Sequence, residues 1–171
     1  MRLKDLLEKS TEEKPGTYAA ASFDAESRKI ISNYIKDNKI PNSTNVDKLH
    51  CTLLYSRAHI PNFKAMGEYS TPMKCIPNGL EIWKTQPDEN GDRANCLVLK
   101  LKCPEFVARH KKLMKDHSEA TYDYPEFKVH VTLSYSIGDM KIDDLPELSE
   151  TLMLEKEYTT PLDTNWAKKS Q

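Results

Sequence analysis

Neither sign of charge dominates this chain: 25 lysines and arginines stand against 26 aspartates and glutamates in 171 residues, a formal net charge of −1 at pH 7. Coating bulk DNA or RNA takes a basic excess, so that role is excluded, although a local basic cleft is not. No apolar run approaches the roughly 20 residues of a membrane span. Met1 to Ser10 lacks the apolar stretch and cleavage site of a secretory signal. Cysteine is sparse too. Cys51, Cys75, Cys96 and Cys103 contain no C-x-x-C pair, which argues against a zinc knuckle or a disulfide frame. The expectation is a cytosolic protein with free thiols, one domain over 1–171, with no metal, no cofactor and no obligate protein partner. Hydrophobic residues at 38% are enough for a folded interior.

What is present is regular. Leu3, Leu6 and Leu7 suit one face of a short first helix. Gly16 opens a strand-like run, Thr17 to Phe23. Asp24 can accept from the free N–H groups of a helix running from Ala25 to about Asn38, whose stripe is Ile30, Ile31, Tyr34 and Ile35 and whose stop is Pro41. Lys48 to Ser56 alternates as a strand, and Ala58 to Lys64 reads as loop. Gly79–Thr85 and Ala94–Lys102 form a hairpin around Asn90-Gly91. Pro104 suits the first turn of a second helix with Phe106, Val107, His110, Leu113, Met114 and His117 along one stripe. Phe127 to Ser136 and Leu152 to Tyr158 complete the strands. The order strand, helix, strand, strand is written twice.

The repeat carries the chemistry. Lys48-Leu-His-Cys-Thr-Leu-Leu-Tyr-Ser56 and Lys128-Val-His-Val-Thr-Leu-Ser-Tyr-Ser136 agree at six of nine positions. A duplicated supersecondary unit is far harder to reach by accident than a tripeptide. Strand alternation sends Leu49, Cys51, Leu53 and Tyr55, with Val129, Val131, Leu133 and Tyr135, to the core. Lys48, His50, Thr52 and Lys128, His130, Thr132 face the other way. An imidazole and a hydroxyl about 6–7 Å apart along a strand can address one phosphate. If the halves pack about a pseudo-two-fold axis, a histidine stands on each wall of one cleft. With pKa values near 6.5, one can be neutral and remove a proton from a ribose 2′-hydroxyl while the other protonates the departing oxygen. The threonines, with the lysines as further candidates, would stabilise phosphoryl charge, and no metal is required. For Lys48 and Lys128 the alternative is ordinary solvation at the start of a strand.

His50-Cys-Thr52 and His130-Val-Thr132, in duplicated strand–helix halves, resemble the 2H phosphoesterase superfamily, which includes RNA 2′,3′-cyclic phosphodiesterases. Within it the chain is similar to the anti-CBASS nucleases of T4-like phages, on the His50 segment, the Thr17-Tyr18 strand and a tryptophan near the C-terminus. The resemblance implies an α+β fold of two pseudo-symmetric lobes, each an antiparallel sheet with a helix, around a cleft. It also implies cleavage of cyclic di- or trinucleotide signals such as cGAMP in the cytoplasm of an infected bacterium, with Tyr18 and Trp166 flanking the bases. The alternatives are opening of 2′,3′-cyclic phosphates on RNA ends, or a sponge that sequesters cyclic nucleotides without cutting. Tyr18 can equally be a core residue, and Trp166 a structural plug. Glu155 and Glu157 could read a base edge but read better as exposed strand charges, His110 and His117 as packing or boundary residues, and His59 as loop.

Overall fold

The computed structural model describes residues 14–163, so the expected Leu3–Leu7 helix and Trp166 lie outside the described residues. The elements are β1 (Thr17–Phe23), α1 (Ala25–Asp37), β2 (His50–Ser56), β3 (Gly67–Lys84), β4 (Asn95–Lys102), α2 (Pro104–Asp116), β5 (His130–Ser134) and β6 (Leu152–Pro161). This is the strand, helix, strand, strand order read from sequence, twice over.

Local chemistry sets the boundaries. Asp24 accepts from the Ser27 N–H at 2.8 Å and starts α1. Pro104 lies in the first turn of α2, where its missing N–H costs nothing. Gly16 lets the start of β1 pass the end of β2, because a Cβ there would run into the Ser56 carbonyl oxygen.

All six strands join in one antiparallel order, β2-β1-β6-β3-β4-β5. The order is unchanged when first-half strands are exchanged for their second-half counterparts and the sheet is read from the other edge. The third strand of each half pairs with the other half: β6 with β1, and β3 with β4. The two lobes are therefore two ends of one sheet. The seam is β3, whose residues 67–75 pair with β6 and whose residues 76–84 pair with β4. It is also much longer than the predicted hairpin arm, which began at Gly79.

Both helices pack into one core on one face of this sheet. Ile31, Tyr34 and Ile35 of α1 and Phe106 and Leu113 of α2 join Leu49, Cys51, Leu53, Val129, Val131 and Leu133. Burying one such aliphatic or aromatic side chain is worth about 1.5–3 kcal/mol, so this shared layer anchors both repeated segments. His110 of α2 is buried as predicted. It stacks on Phe127 with ring centroids 3.8 Å apart, and its Nδ1 donates to the Leu53 carbonyl at 2.7 Å.

Three expectations are corrected. The repeated strands are shorter than read: Lys48 ends a 3₁₀ turn, Val46–Lys48, and β5 starts at His130. Tyr55 and Tyr135 do not share the core face with Leu53 and Leu133. Register shifts opposite Ala19/Ala20 and Leu97/Val98 insert an extra residue, Leu53 in β2 and Leu133 in β5, and reverse the alternation beyond it. Glu157 is not an exposed charge but fully buried. It accepts from Arg109 Nε and Nη2 at 3.1 and 2.9 Å, from the Tyr69 hydroxyl at 3.1 Å and from the Met66 N–H at 2.6 Å. Glu155 is half-buried.

Candidate active site

On the face opposite the helices, β2 and β5 present the repeated polar residues. His50, Thr52, His130 and Thr132 are all half-buried, while Cys51, Leu53, Val131 and Leu133 between them are fully buried. Although β2 and β5 are the two edges of the sheet, they come close to each other in space.

Reciprocal latches hold them there. The loop before β2 lies along β5: the Thr44 N–H donates to the Leu133 carbonyl at 2.9 Å and its hydroxyl to the Thr132 carbonyl at 2.8 Å. The loop before β5 returns to β2: the Arg57 N–H donates to Thr121 Oγ1 at 2.9 Å, and the Thr121 N–H to Ser56 Oγ at 3.0 Å. Arg57 closes the second latch with a bidentate pair to Asp123 at 2.9 and 2.7 Å. Each motif is thus braced by the other half of the chain.

Each imidazole is held in the same way. His50 Nδ1 lies 2.7 Å from the Lys48 carbonyl and His130 Nδ1 2.8 Å from the Lys128 carbonyl. A carbonyl can only accept, so Nδ1 carries the proton and Nε2 is the basic nitrogen of the neutral ring. The structure gives both lysines a main-chain part in the site, while their side chains are exposed. Burial in the cleft lowers the pKa of both histidines. His130 is lowered further by the charge of His50, which places the two rings within electrostatic reach of each other. Two such groups resist simultaneous protonation, the condition for an acid and a base at one pH.

The walls differ in their surroundings. Beside His50, Tyr18 stands edge-on at 6.3 Å and also meets Tyr55 at 6.3 Å. Its hydroxyl lies 2.9 Å from Thr52 Oγ1. Tyr18 therefore lies beside His50 with its phenol oxygen bound to a motif residue. Beside His130, the Trp83 ring lies 4.3 Å away, tilted by 56°. The Trp83 indole N–H donates to Glu81 Oε2 at 2.6 Å, and Lys100, opposite His130 in the register, pairs with Glu81 Oε1 at 2.9 Å. Sequence reasoning missed this second group. Its signal was there in Glu81 and Trp83 two apart on a strand, which share a face. Tyr135, freed from the core by the bulge, packs with Cys96, Val98 and Trp83.

Other candidates lie apart. His59 Nδ1 is 3.3 Å from the Pro15 carbonyl, and His117 borders Phe63, as boundary residues do. Among the described residues no three His, Cys, Asp or Glu side chains gather as a metal-binding group. A separate groove of about 560 Å³ between α1 and residues 146–150 sets the carboxylates of Glu26, Asp37, Glu147 and Glu150 against a single cation, Lys29. That acidic lining is ill suited to a phosphate. No helix of the described residues is long and apolar enough to cross a membrane.

Among solved structures the chain is similar to E. coli LigT. The form complexed with NADP+ superposes with a TM-score of 0.53 at 12% identity, over 89% of this chain and 96% of LigT. The form complexed with 3′-AMP gives a TM-score of 0.53 at 13% identity, over 88% and 97%. That likeness concerns the fold. Together with the twin histidine–threonine motifs, it sets the chain among α+β proteins of the LigT fold.

The chain belongs to the family of the anti-CBASS protein Acb1, whose model matches residues 15–169. It is 33% identical over 169 residues to the anti-CBASS protein Acb1 of Vibrio phage KVP40, covering 97% of each chain. To that of Acinetobacter phage Ac42 it is 34% identical over 155 residues, covering 88% of this chain and 93% of the relative. To that of Enterobacteria phage T4 it is 28% identical over 152 residues, covering 89% and 91%.

Proposed function

We propose that this protein cleaves the 3′–5′ phosphodiester bonds of cyclic di- and trinucleotides in the cytoplasm of an infected bacterium, countering CBASS immunity without a metal ion. The observation that supports the reading is the pair of tautomer-fixed histidines, each with a threonine two residues on, carried on two strands latched to each other. Membership of the anti-CBASS family supports the substrate class.

One histidine, through Nε2, takes the proton of a ribose 2′-hydroxyl as O2′ attacks phosphorus. The other gives its proton to O5′ as the P–O5′ bond breaks. The product carries a 2′,3′-cyclic phosphate and a free 5′-hydroxyl. Water then opens the cyclic phosphate, with the two histidines exchanging roles. Thr52 and Thr132 donate to the non-bridging oxygens, where charge grows in the transition state. The Lys48 and Lys128 side chains add positive charge at the rim, and Tyr18 flanks a base. The aromatic candidates and the balanced net charge favour a compact ligand over a long RNA.

The test is incubation with 3′,3′-cGAMP, heat denaturation and chromatography of the nucleotide. Linear phosphorylated product, formed in the presence of EDTA and not formed from a 2′-deoxy analogue, is expected. His50→Ala and His130→Ala should each lower turnover by about 10²–10⁴-fold. Intact ligand released on heating would mean a sponge. Inert cGAMP together with rapid opening of RNA 2′,3′-cyclic ends would mean an RNA-end enzyme. Either result overturns the proposal.

A further inference from the structure

The contact between Tyr18 and Thr52 bears on how the motif works. The register sets Ala20 opposite Thr52 and Tyr18 opposite Tyr55, with the bulge between them. The phenol thus leans across to meet the threonine at 2.9 Å. A threonine hydroxyl has one proton to donate. Spent on the phenol oxygen, it would leave Thr52 offering lone pairs to an anionic phosphate. Of the two hydroxyls the phenol is the stronger acid and so the better donor. Burial also holds Tyr18 far above the usual phenol range, so its O–H persists at any working pH.

We infer that Tyr18 is a positioning residue: its O–H donates to Thr52 Oγ1 and thereby commits the single Thr52 proton to a phosphoryl oxygen in the cleft. The inference rests on the phosphodiester-cleaving reading given above. The second motif has a partial counterpart from a different place in the fold, since Thr132 lies near enough to the Tyr135 phenol to draw its pKa down, against the larger raising effect of burial. Its ring is buried beside Trp83 and Val98. The 2.9 Å contact at Thr52 is the observation that carries the inference.

Tyr18→Phe tests this, because it keeps the ring and removes the hydroxyl alone. With 3′,3′-cGAMP the expected result is a kcat about tenfold lower, the worth of one ordinary hydrogen bond, with KM changed less than twofold. A ring that served solely to stack on a base would leave Tyr18→Phe at the wild-type kcat. The distinguishing measurement is a double-mutant cycle. In a Thr52→Val background there is no proton left to direct, so adding Tyr18→Phe should lower kcat no further. Thermal melting within about 2 °C of wild type establishes that the variants fold. Wild-type kcat in Tyr18→Phe, or an undiminished tenfold loss in the Thr52→Val background, overturns the inference while leaving the proposed function standing. A wild-type protein that leaves cGAMP intact overturns both.

Discussion

The buried ion pair between Arg109 and Glu157 invites a quantitative test, because it pins α2 to the strands that join the two halves. Glu157 has no exposed surface, and all four of its donors come from elsewhere in the fold: two N–H groups of Arg109 on α2, the Tyr69 hydroxyl within β3 and the Met66 N–H just before it. The Arg109 side chain keeps 16% of its surface exposed, but Glu157 cannot be resolvated without opening the structure. Arg109→Met leaves a carboxylate in an apolar setting with two donors in place of four, which costs about 3–5 kcal/mol. At about 2–4 °C per kcal/mol for a chain of this size, Tm should drop by about 6–20 °C. Adding Glu157→Gln should recover at least half of that loss. The amide oxygen still accepts from Met66, its NH₂ can donate to the Tyr69 oxygen, and no bare charge remains. Urea unfolding with an unchanged m-value is the assay. If Arg109→Met costs less than about 1 kcal/mol, or the double variant is less stable than the single, the ion pair is not the clamp described here.

The remaining predictions concern the histidines. Because burial lowers the pKa of both His50 and His130, the state of the free enzyme with one neutral and one charged ring lies on the acid side of the ordinary imidazole range. The kcat/KM profile should therefore fall as pH rises from 6 to 8, and a flat or rising profile would contradict the assignment. An anionic phosphate raises both values, so the optimum for kcat should lie above that for kcat/KM. His110 is lowered as well, again by burial. For all three, the unfolded chain binds the proton more readily, so stability is complete above about pH 6.5 and declines as pH falls toward the folded-state values. His110→Phe keeps the stack on Phe127 but strands the Leu53 carbonyl, at a cost of about 1–3 kcal/mol at pH 7.5. Its stability should fall less steeply with acid than that of wild type, and parallel urea-midpoint curves would refute the role.

The parts of this architecture visible in sequence are those set by neighbours along the chain. Asp24 and Pro104 mark helix starts through local backbone chemistry, and the alternation through His50, Cys51 and Thr52 places two hydrophilic side chains on one face. The bulge broke the same rule three residues later. Leu53-Leu54, two apolar neighbours in a strand otherwise alternating, was its trace, but in the second copy the pair is Leu133-Ser134 and the trace is fainter. Glu157 could not be placed from its strand, because what makes its burial tolerable is an arginine 48 residues away. The exchange of third strands was hidden for a related reason: the repeat predicts which elements exist, while pairing across halves depends on a strand long enough to serve two neighbours.

The same distinction separates the two walls of the cleft. Features common to both, the Nδ1–H directed at the main chain and the threonine two residues on, are written within the repeated nine residues. The carbonyl that fixes each tautomer belongs to a lysine whose side chain plays no part in that bond, so its identity carried less information than its position. What distinguishes the walls, a phenol against an imidazole on one side and an indole–carboxylate–ammonium group on the other, is written on β1, β3 and β4. The nine-residue repeat does not extend to those strands. Duplication accounts for two equivalent histidines; any preference for one of them as the base must come from residues outside the copied segment.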